Sequence, residues 1–435
     1  MTLSQPACLA GNPRRYIIFT VFYNARAYYP VLAVLFLDLG LSLEQFVLLN
    51  LIWALTIFFC EVPSGALADT WGRRNLLVTA ALLMIIEMLC LVVAPVQGGS
   101  ILMALCVLNR LCSGLSEACA SGADEALAYD SLPEENRSQA WDKILADAMR
   151  WRSAGFVIAM LLGGFLYDPS QLNKLIPDAW ALSAEAAHRL PIILVLCQAF
   201  ICLWASLSMR EPPRHTPPLS LATLIGIIAD SARWLWQQKL LRVLVLTGLV
   251  LDAVVRNFAT INSSYYRLID LPEWSFGIVG AGLGLAGIAV PSLAKYLNQS
   301  LSPQANINIT AMAVLVLLAA LIPAWPLWGL IPASLLMLSM GFLGFTLSKA
   351  IHQAADNANR ATVLSVKGLV FNLGYGAMSL GFSALLAASA SQQNTNSLVQ
   401  ALLWQWPIMA GVLLGLIVWG AWLLRQSATE QKNRG

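Results

Sequence analysis

Apolar runs of bilayer-spanning length recur along this chain, each closed by a short cluster of polar, glycine or proline residues. A helix of about 20 apolar residues crosses the hydrocarbon slab of a membrane. Windows of about 19 residues predict spans near 16–37, 45–67, 76–94, 101–123, 146–167 and 190–209. A second set is predicted near 240–262, 275–296, 307–324, 327–350, 363–388 and 401–424. Between the sets lies the one clear linker, Arg210-Glu211-Pro212-Pro213-Arg214-His215-Thr216-Pro217-Pro218. It leads into a partly amphipathic stretch, 219–238, whose Trp234 and Trp236 suit an interfacial helix. The pattern predicts an all-α membrane protein with twelve transmembrane helices in two six-helix pseudo-repeats. The predicted parts are a six-helix bundle over 1–209, a cytoplasmic linker over 210–239 and a second bundle over 240–435.

Composition removes the soluble alternative. The chain is 58% hydrophobic and 11% charged, whereas soluble domains carry about 25% charged residues. A net charge of +3 is too small to point to nucleic acid, and no such partner is expected. The placement of positive charge says more. With the N-terminus inside, the 26 lysines and arginines sort as 3 outside (Lys174, Arg189, Arg267), 3 within spans (Arg26, Arg110, Arg256) and 20 inside or at inner ends. The positive-inside rule then places both termini and the linker in the cytoplasm. A multi-pass protein of the cell (inner) membrane is expected, with the lipid bilayer as its surroundings. Arg14-Arg15 precede the first apolar run and no small-residue cleavage site follows it, so that run reads as a retained helix. The eight cysteines fall in the first half, mostly inside apolar segments, with no C-x-x-C pair and no zinc-ligand spacing to the three histidines. They read as packing residues, and neither metal nor cofactor is expected. Tyr265, Tyr266 and Trp274 read as an interfacial aromatic belt.

The two halves echo one another. Val62-Pro63-Ser64 returns as Val290-Pro291-Ser292, Leu37-Asp38-Leu39 as Ile269-Asp270-Leu271, and Arg26 as Arg256, each about 230 residues on and in the same order. Parallel repeats around a central substrate site are one way transporters are built; coincidence of membrane composition is the alternative.

The loop between spans 2 and 3 reads Gly65-Ala66-Leu67-Ala68-Asp69-Thr70-Trp71-Gly72-Arg73-Arg74. Its spacing, G-x-L-x-D-x-x-G-R-R, resembles the loop between helices 2 and 3 of major facilitator superfamily transporters. Gly65 and Gly72 suit a tight turn with close backbone approach. Asp69 suits the positive N-terminal end of a neighbouring helix. The resemblance implies helix 11, predicted to begin near Ala361–Val363. Arg73 would then pair with an acid at the inner end of span 4, where Asp124 and Glu125 stand. A latch of Gly65, Asp69, Gly72, Arg73 and Asp124 would break and reform as the halves rock, biasing the protein outward-open. The plainer reading is that these charges only fix topology.

Ionisable groups inside spans are costly and mark cavities or partners. In span 4, Arg110, Glu117 and Asp124 are spaced by sevens, which a helix places on one face. Arg110-Leu111-Cys112-Ser113-Gly114 resembles the family's R-x-x-x-G pattern in helix 4, which implies a part in proton coupling. A carboxylate removed from water favours its neutral form, which makes Glu117 a candidate proton carrier tuned by Arg110. The alternative is a structural ion pair, Arg110 with Glu87. Glu61 is a second proton site or a hinge-stabilising carboxylate. Tyr23, Asn24 and Arg26 could meet an anionic or polar substrate group in a central cavity. Asp252 and Arg256 could do the same or form an intrahelical salt bridge.

Glu61-Val62-Pro63-Ser64-Gly65 and Gly122-Ala123-Asp124-Glu125-Ala126-Leu127-Ala128-Tyr129-Asp130 are similar to runs in the family's bacterial multidrug-efflux members. Span 5 departs from the drug–proton antiporters, having Gly155, Gly163 and Gly164 but no Gly-Pro. No G-x-x-x-x-G-K-[ST] loop is present, which argues against an ATP-driven pump. The expected function is a secondary active transporter working by alternating access, moving a small molecule, with protons coupled to export of amphipathic compounds. A proton-coupled importer, or a dedicated metabolite or siderophore exporter, is the alternative; a non-transporting sensor or membrane enzyme is remote. A monomer is expected.

Overall fold

Each predicted span is helical in the computed structural model, which describes residues 9–96, 98–213, 221–354, 360–390 and 396–432. Cys8 and linker residues 214–220, His215 among them, lie outside the described residues. The helices of the first part are α1 (Asn12–Asn24), α2 (Leu32–Asp38), α3 (Leu43–Thr70), α4 (Arg73–Val92) and α5 (Ser100–Ala120). They continue with α6 (Ala123–Asp130), α7 (Arg137–Tyr167), α8 (Pro169–Leu172), α9 (Ala184–Ser208) and α10 (Leu221–Gln237). Then follow α11 (Lys239–Leu268), α12 (Glu273–Ala286), α13 (Val290–Ser300) and α14 (Pro303–Leu321). The last are α15 (Leu330–Ala354), α16 (Arg360–Ala390) and α17 (Ser397–Lys432).

Among the described residues, 10 helical stretches are long and apolar enough to span a membrane, and α12 with α13, bent by 42°, makes 11. The remaining predicted span is α7, whose Arg150 and Arg152 dilute its apolar run. Two spans are broken, and proline explains both. Pro30 clashes with the carbonyl four residues back and pushes its predecessor out of helical geometry. Accordingly span 1 stops at Asn24 and resumes at Leu32. Pro291 is at the first turn of α13, after the glycine-rich run from Gly280 to Gly287 that already weakens helix. Pro63, by contrast, is accommodated inside α3.

Contacts divide the chain into two units. The first comprises Met1–Leu41, Leu55–Leu224 and Pro272–Gly284; the second comprises Ser42–Ala54, Ile225–Leu271 and Leu285–Gly435. Phe19, Phe36, Leu76, Met84 and Tyr167 are buried in the first, and Leu244, Leu251, Ile261, Tyr265 and Phe382 in the second. Large apolar side chains such as Phe59, Ile158 and Phe200, or Ile309, Val316 and Val418, are exposed, as lipid-facing helices require. Tyr265 and Tyr266 correct the belt reading: both are buried, and the Tyr265 hydroxyl donates to the Leu321 carbonyl at 3.0 Å.

The ends of α2 and α11 close with the same turn. Leu41 N–H reaches back to Phe36 O (3.1 Å), and Leu271 N–H to Tyr266 O (3.0 Å). The preceding residues, Gly40 at φ 109° and Asp270 at φ 59°, are both in positive-φ conformations, the pattern of a helix C-cap. Gly40 therefore matches Asp270 at the offset separating Arg26 from Arg256. The Leu-Asp-Leu echo is out of register by two residues.

Close packing depends on two glycines of α7. A Cβ at Gly163 would lie 1.6 Å from the Ala27 carbonyl oxygen, and one at Gly164 would lie 2.6 Å from the Gly277 nitrogen. In both cases the obstacle is backbone.

Candidate functional site

In the first unit, the broken span creates the polar centre. The unwound turn frees the Tyr23 carbonyl, which accepts from Arg26 Nε at 3.3 Å. Arg26 Nη1 donates to both Glu87 oxygens at 2.8 Å, and the Tyr28 hydroxyl donates to Glu87 at 3.1 Å. Arg26 is 3% exposed and Glu87 0%, and so complete a set of partners is what makes a buried ion pair tolerable. This corrects two expectations. Arg26 is sealed inside the unit rather than open to a cavity, and Glu87 belongs to Arg26 rather than to Arg110. Arg110 Nε instead donates to Asn109 Oδ1 at 2.9 Å, while its guanidinium lies over the Phe36 ring at 4.9 Å. Its Nη2 is buried with no hydrogen-bond partner among the described residues.

The groups left exposed are Asn24, Tyr29 and Glu117. Asn24 closes α1 by donating to the Thr20 carbonyl at 2.7 Å. The Tyr23 and Ser116 hydroxyls bond each other at 2.8 Å, one residue from Glu117. Tyr23, Tyr29 and Glu61 all lie within electrostatic range of Glu117. Ser64 Oγ lies within hydrogen-bond distance of both Glu61 O (2.8 Å) and Ala118 O (2.6 Å), its one proton serving either, which ties α3 to α5 beside the two carboxylates. The three-residue stripe of span 4 stops at Glu117. Gly122, at φ 71°, separates α5 from α6 and puts Asp124 on a different helix.

The loop motif has a different partner from the expected one. Gly72 takes φ 112°, which glycine alone adopts easily. Gly65 lies within α3 with nothing near its Cβ position, so no close approach requires it. Arg73 is ion-paired with Asp130, at the far end of α6, and not with Asp124. Asp124 turns its carboxylate to the Glu125 N–H at 2.8 Å. The first turn of α4 is capped by Glu211 of the linker, which accepts from Arg73 N–H at 3.0 Å and Arg74 N–H at 2.8 Å. Carboxylates are favoured at that helix end. Asn12 fastens the neighbouring linker residue, exchanging bonds with Arg210 N–H (3.0 Å) and O (2.7 Å). Asp69 is half-buried in the last turn of α3.

The second unit holds a separate cluster on α11 and α16. Asp252 and Arg256 form the intrahelical pair, Oδ2 to Nη2 at 2.7 Å. Arg256 Nη1 also donates to Asn372 Oδ1 at 2.8 Å, and its guanidinium lies over the Tyr375 ring at 5.5 Å. The Thr260 and Tyr375 hydroxyls bond at 2.9 Å, and Trp53 meets Tyr375 edge-on at 6.2 Å. Lys367 stands on the same helix, its ammonium 5.2 Å from the Phe371 ring. Sequence inspection missed Glu87's true partner, Glu211, Lys367, Asn372 and Tyr375. Only Glu211 left a local signal, an acid in a basic linker. The others are defined by helices far apart in sequence.

Among the described residues, no group of three or more His, Cys, Asp and Glu side chains is arranged to hold a metal. Long apolar helices with polar groups gathered inside them define a multi-pass membrane protein of the transporter kind. The description Major Facilitator Superfamily matches residues 16–378, and the chain belongs to that family. It is a transporter rather than an enzyme. Among solved structures, the chain is similar to the nucleoside transporter NupG in a mutant form (14% identity, TM-score 0.71, 95% of this chain and 99% of that one). It is also similar to a bacterial homologue of the human lysosomal transporter Spinster (16%, 0.65, 97% and 96%). A D-xylose-proton symporter shares the fold as well (15%, 0.62, 93% and 96%). At these identities the likeness concerns the fold. No curated protein matches the chain.

Proposed function

We propose that this protein exports a small amphipathic molecule across the cell (inner) membrane in exchange for protons, by alternating access. The observation that carries this reading is Glu117, a carboxylate exposed on membrane-spanning α5 and grouped with Glu61, Tyr23 and Tyr29. A mid-span carboxylate facing lipid would be costly, whereas one facing a water-filled path can load and release a proton. Arg110 sits two turns away on α5 with an unused donor, while the charges within electrostatic range of Glu117 are those of Arg26 and Glu87. Export is favoured by the Glu61–Gly65 and Gly122–Asp130 runs. In this reading the chain works as a monomer of two six-helix bundles, 1–209 and 240–435, with the linker and both termini in the cytoplasm. Asp69, Arg73 and Asp130 form the latch with Gly72, and Asn24, Asp252 and Arg256 meet the substrate. The test is proton flux in proteoliposomes under an imposed pH gradient, with lipophilic cations and siderophore-like anions supplied in turn. Compound-dependent proton movement that Glu117→Gln removes, while compound binding persists, supports the reading. Gradient-driven transport by Glu117→Gln would make that carboxylate structural.

A further inference from the structure

Two arginines at matching positions in the repeat are treated differently. Arg26 is neutralised by a buried glutamate of another helix. Arg256 stays half-buried, and among the described residues its acid is Asp252, one turn below on its own helix. α11 carries no other acidic residue and α16 carries none, yet α16 brings a second cation, Lys367. Lys367 is seven residues into α16, a depth of about 10 Å, and is half-buried. Among the described residues no carboxylate lies within ion-pair distance of it; its near neighbour is the Phe371 ring. The ammonium is within electrostatic range of both Asp252 and Arg256. Two cations therefore share one carboxylate, and that carboxylate is already held by Arg256.

The stripe Asp252, Arg256, Thr260 on α11 runs beside Lys367, Phe371, Tyr375 on α16, both at four-residue spacing. Beside the surplus charge Tyr375 is buried, and the half-buried Trp53 meets it edge-on. Asn372 and Thr260 contribute an amide and a hydroxyl beside the cations. A surplus of one positive charge, hydrogen-bonding groups and flat rings in one place select a ligand by chemistry.

We propose that this cluster binds an organic anion with a planar group, its carboxylate or phosphate held by Lys367 and Arg256 and its ring against the half-buried Trp53. This rests on the transporter reading above and names the substrate class for it. Lys367 is the specificity-determining residue, because it supplies the charge that Asp252 leaves unbalanced.

The experiment is equilibrium dialysis of radiolabelled benzoate and phenyl phosphate, with benzamide and benzylammonium as neutral and cationic controls. The protein is held in zwitterionic-lipid nanodiscs, and empty nanodiscs give the background. Saturable binding of at least one anion is expected, about tenfold tighter than benzamide, as charge-assisted hydrogen bonds provide. Lys367→Gln is expected to lose that tenfold, while Lys367→Arg, which keeps the charge, retains most of it. Anions binding no better than benzamide to the unaltered protein would overturn the proposal without reliance on any variant. So would Lys367→Gln binding them as tightly as the unaltered protein. Counterflow in liposomes separates the two readings. Anions that bind but never exchange would sink transport of this class and leave the site standing. Exchange of benzamide or benzylammonium, unaffected by Lys367→Gln, with the anions neither bound nor exchanged, would leave the transporter standing and remove the anion site.

Discussion

With the Glu87 carboxylate removed, Arg26 keeps only a carbonyl and a phenol inside a sealed pocket. Breaking a buried ion pair from one side costs about 3–5 kcal/mol, because the remaining charge is uncompensated. Glu87→Ala is therefore expected to lower the unfolding temperature in detergent sharply, while the double change Arg26→Met with Glu87→Met recovers much of it. If the double variant is no more stable than the single one, the cost lies in packing around Tyr28 and not in the stranded charge. The same residue scale separates the two glycines of the loop motif. Gly72 needs its positive φ, whereas Gly65 faces open space on a helix. Gly65→Ala is expected to leave melting temperature unchanged or slightly raised, and Gly72→Ala to lower it.

Helices in this protein are positioned by what meets their ends and their closest crossings. The amides of Arg73 and Arg74 are held by Glu211, so Glu211→Gln is expected to speed hydrogen exchange at those two amides. Unchanged exchange would show that the cap is not made in the membrane. At the α7 crossing, Gly163→Ala places a methyl group against the Ala27 carbonyl. Overpacking usually costs about 1–3 kcal/mol, and here neither backbone can yield without displacing the unwound turn that holds Arg26. A large loss of folded protein on size-exclusion chromatography is expected; a normal profile would mean that the turn moves freely. Periodicity could give the helices but not these ends. Pro30 and Pro291 announce the two breaks, while the closing of α4 by a linker residue depends on a contact 138 positions apart.

For the whole molecule, Asp69→Asn is expected to abolish transport while leaving membrane insertion intact, as the proposed latch requires. Full transport by that variant would reduce the motif to a topology signal. Orientation is tested by single cysteines: Lys174→Cys is expected to react with an impermeant maleimide from outside, and Lys143→Cys only after permeabilisation. The family and the helical membrane fold were already legible in the chain. Runs of about 20 apolar residues admit no other stable structure in lipid, since each backbone group must be satisfied within its own segment. The loop from Gly65 to Arg74 identified the family for the same reason: its chemistry is contiguous. Partnership was not legible. Tertiary structure gave Glu87 to Arg26 rather than Arg110, and Asp130 to Arg73 rather than Asp124. It also brought Lys367 within electrostatic range of an aspartate already paired with Arg256. Sequence spacing specifies which residues share a helix face, but an ion pair between helices is decided by how those faces meet.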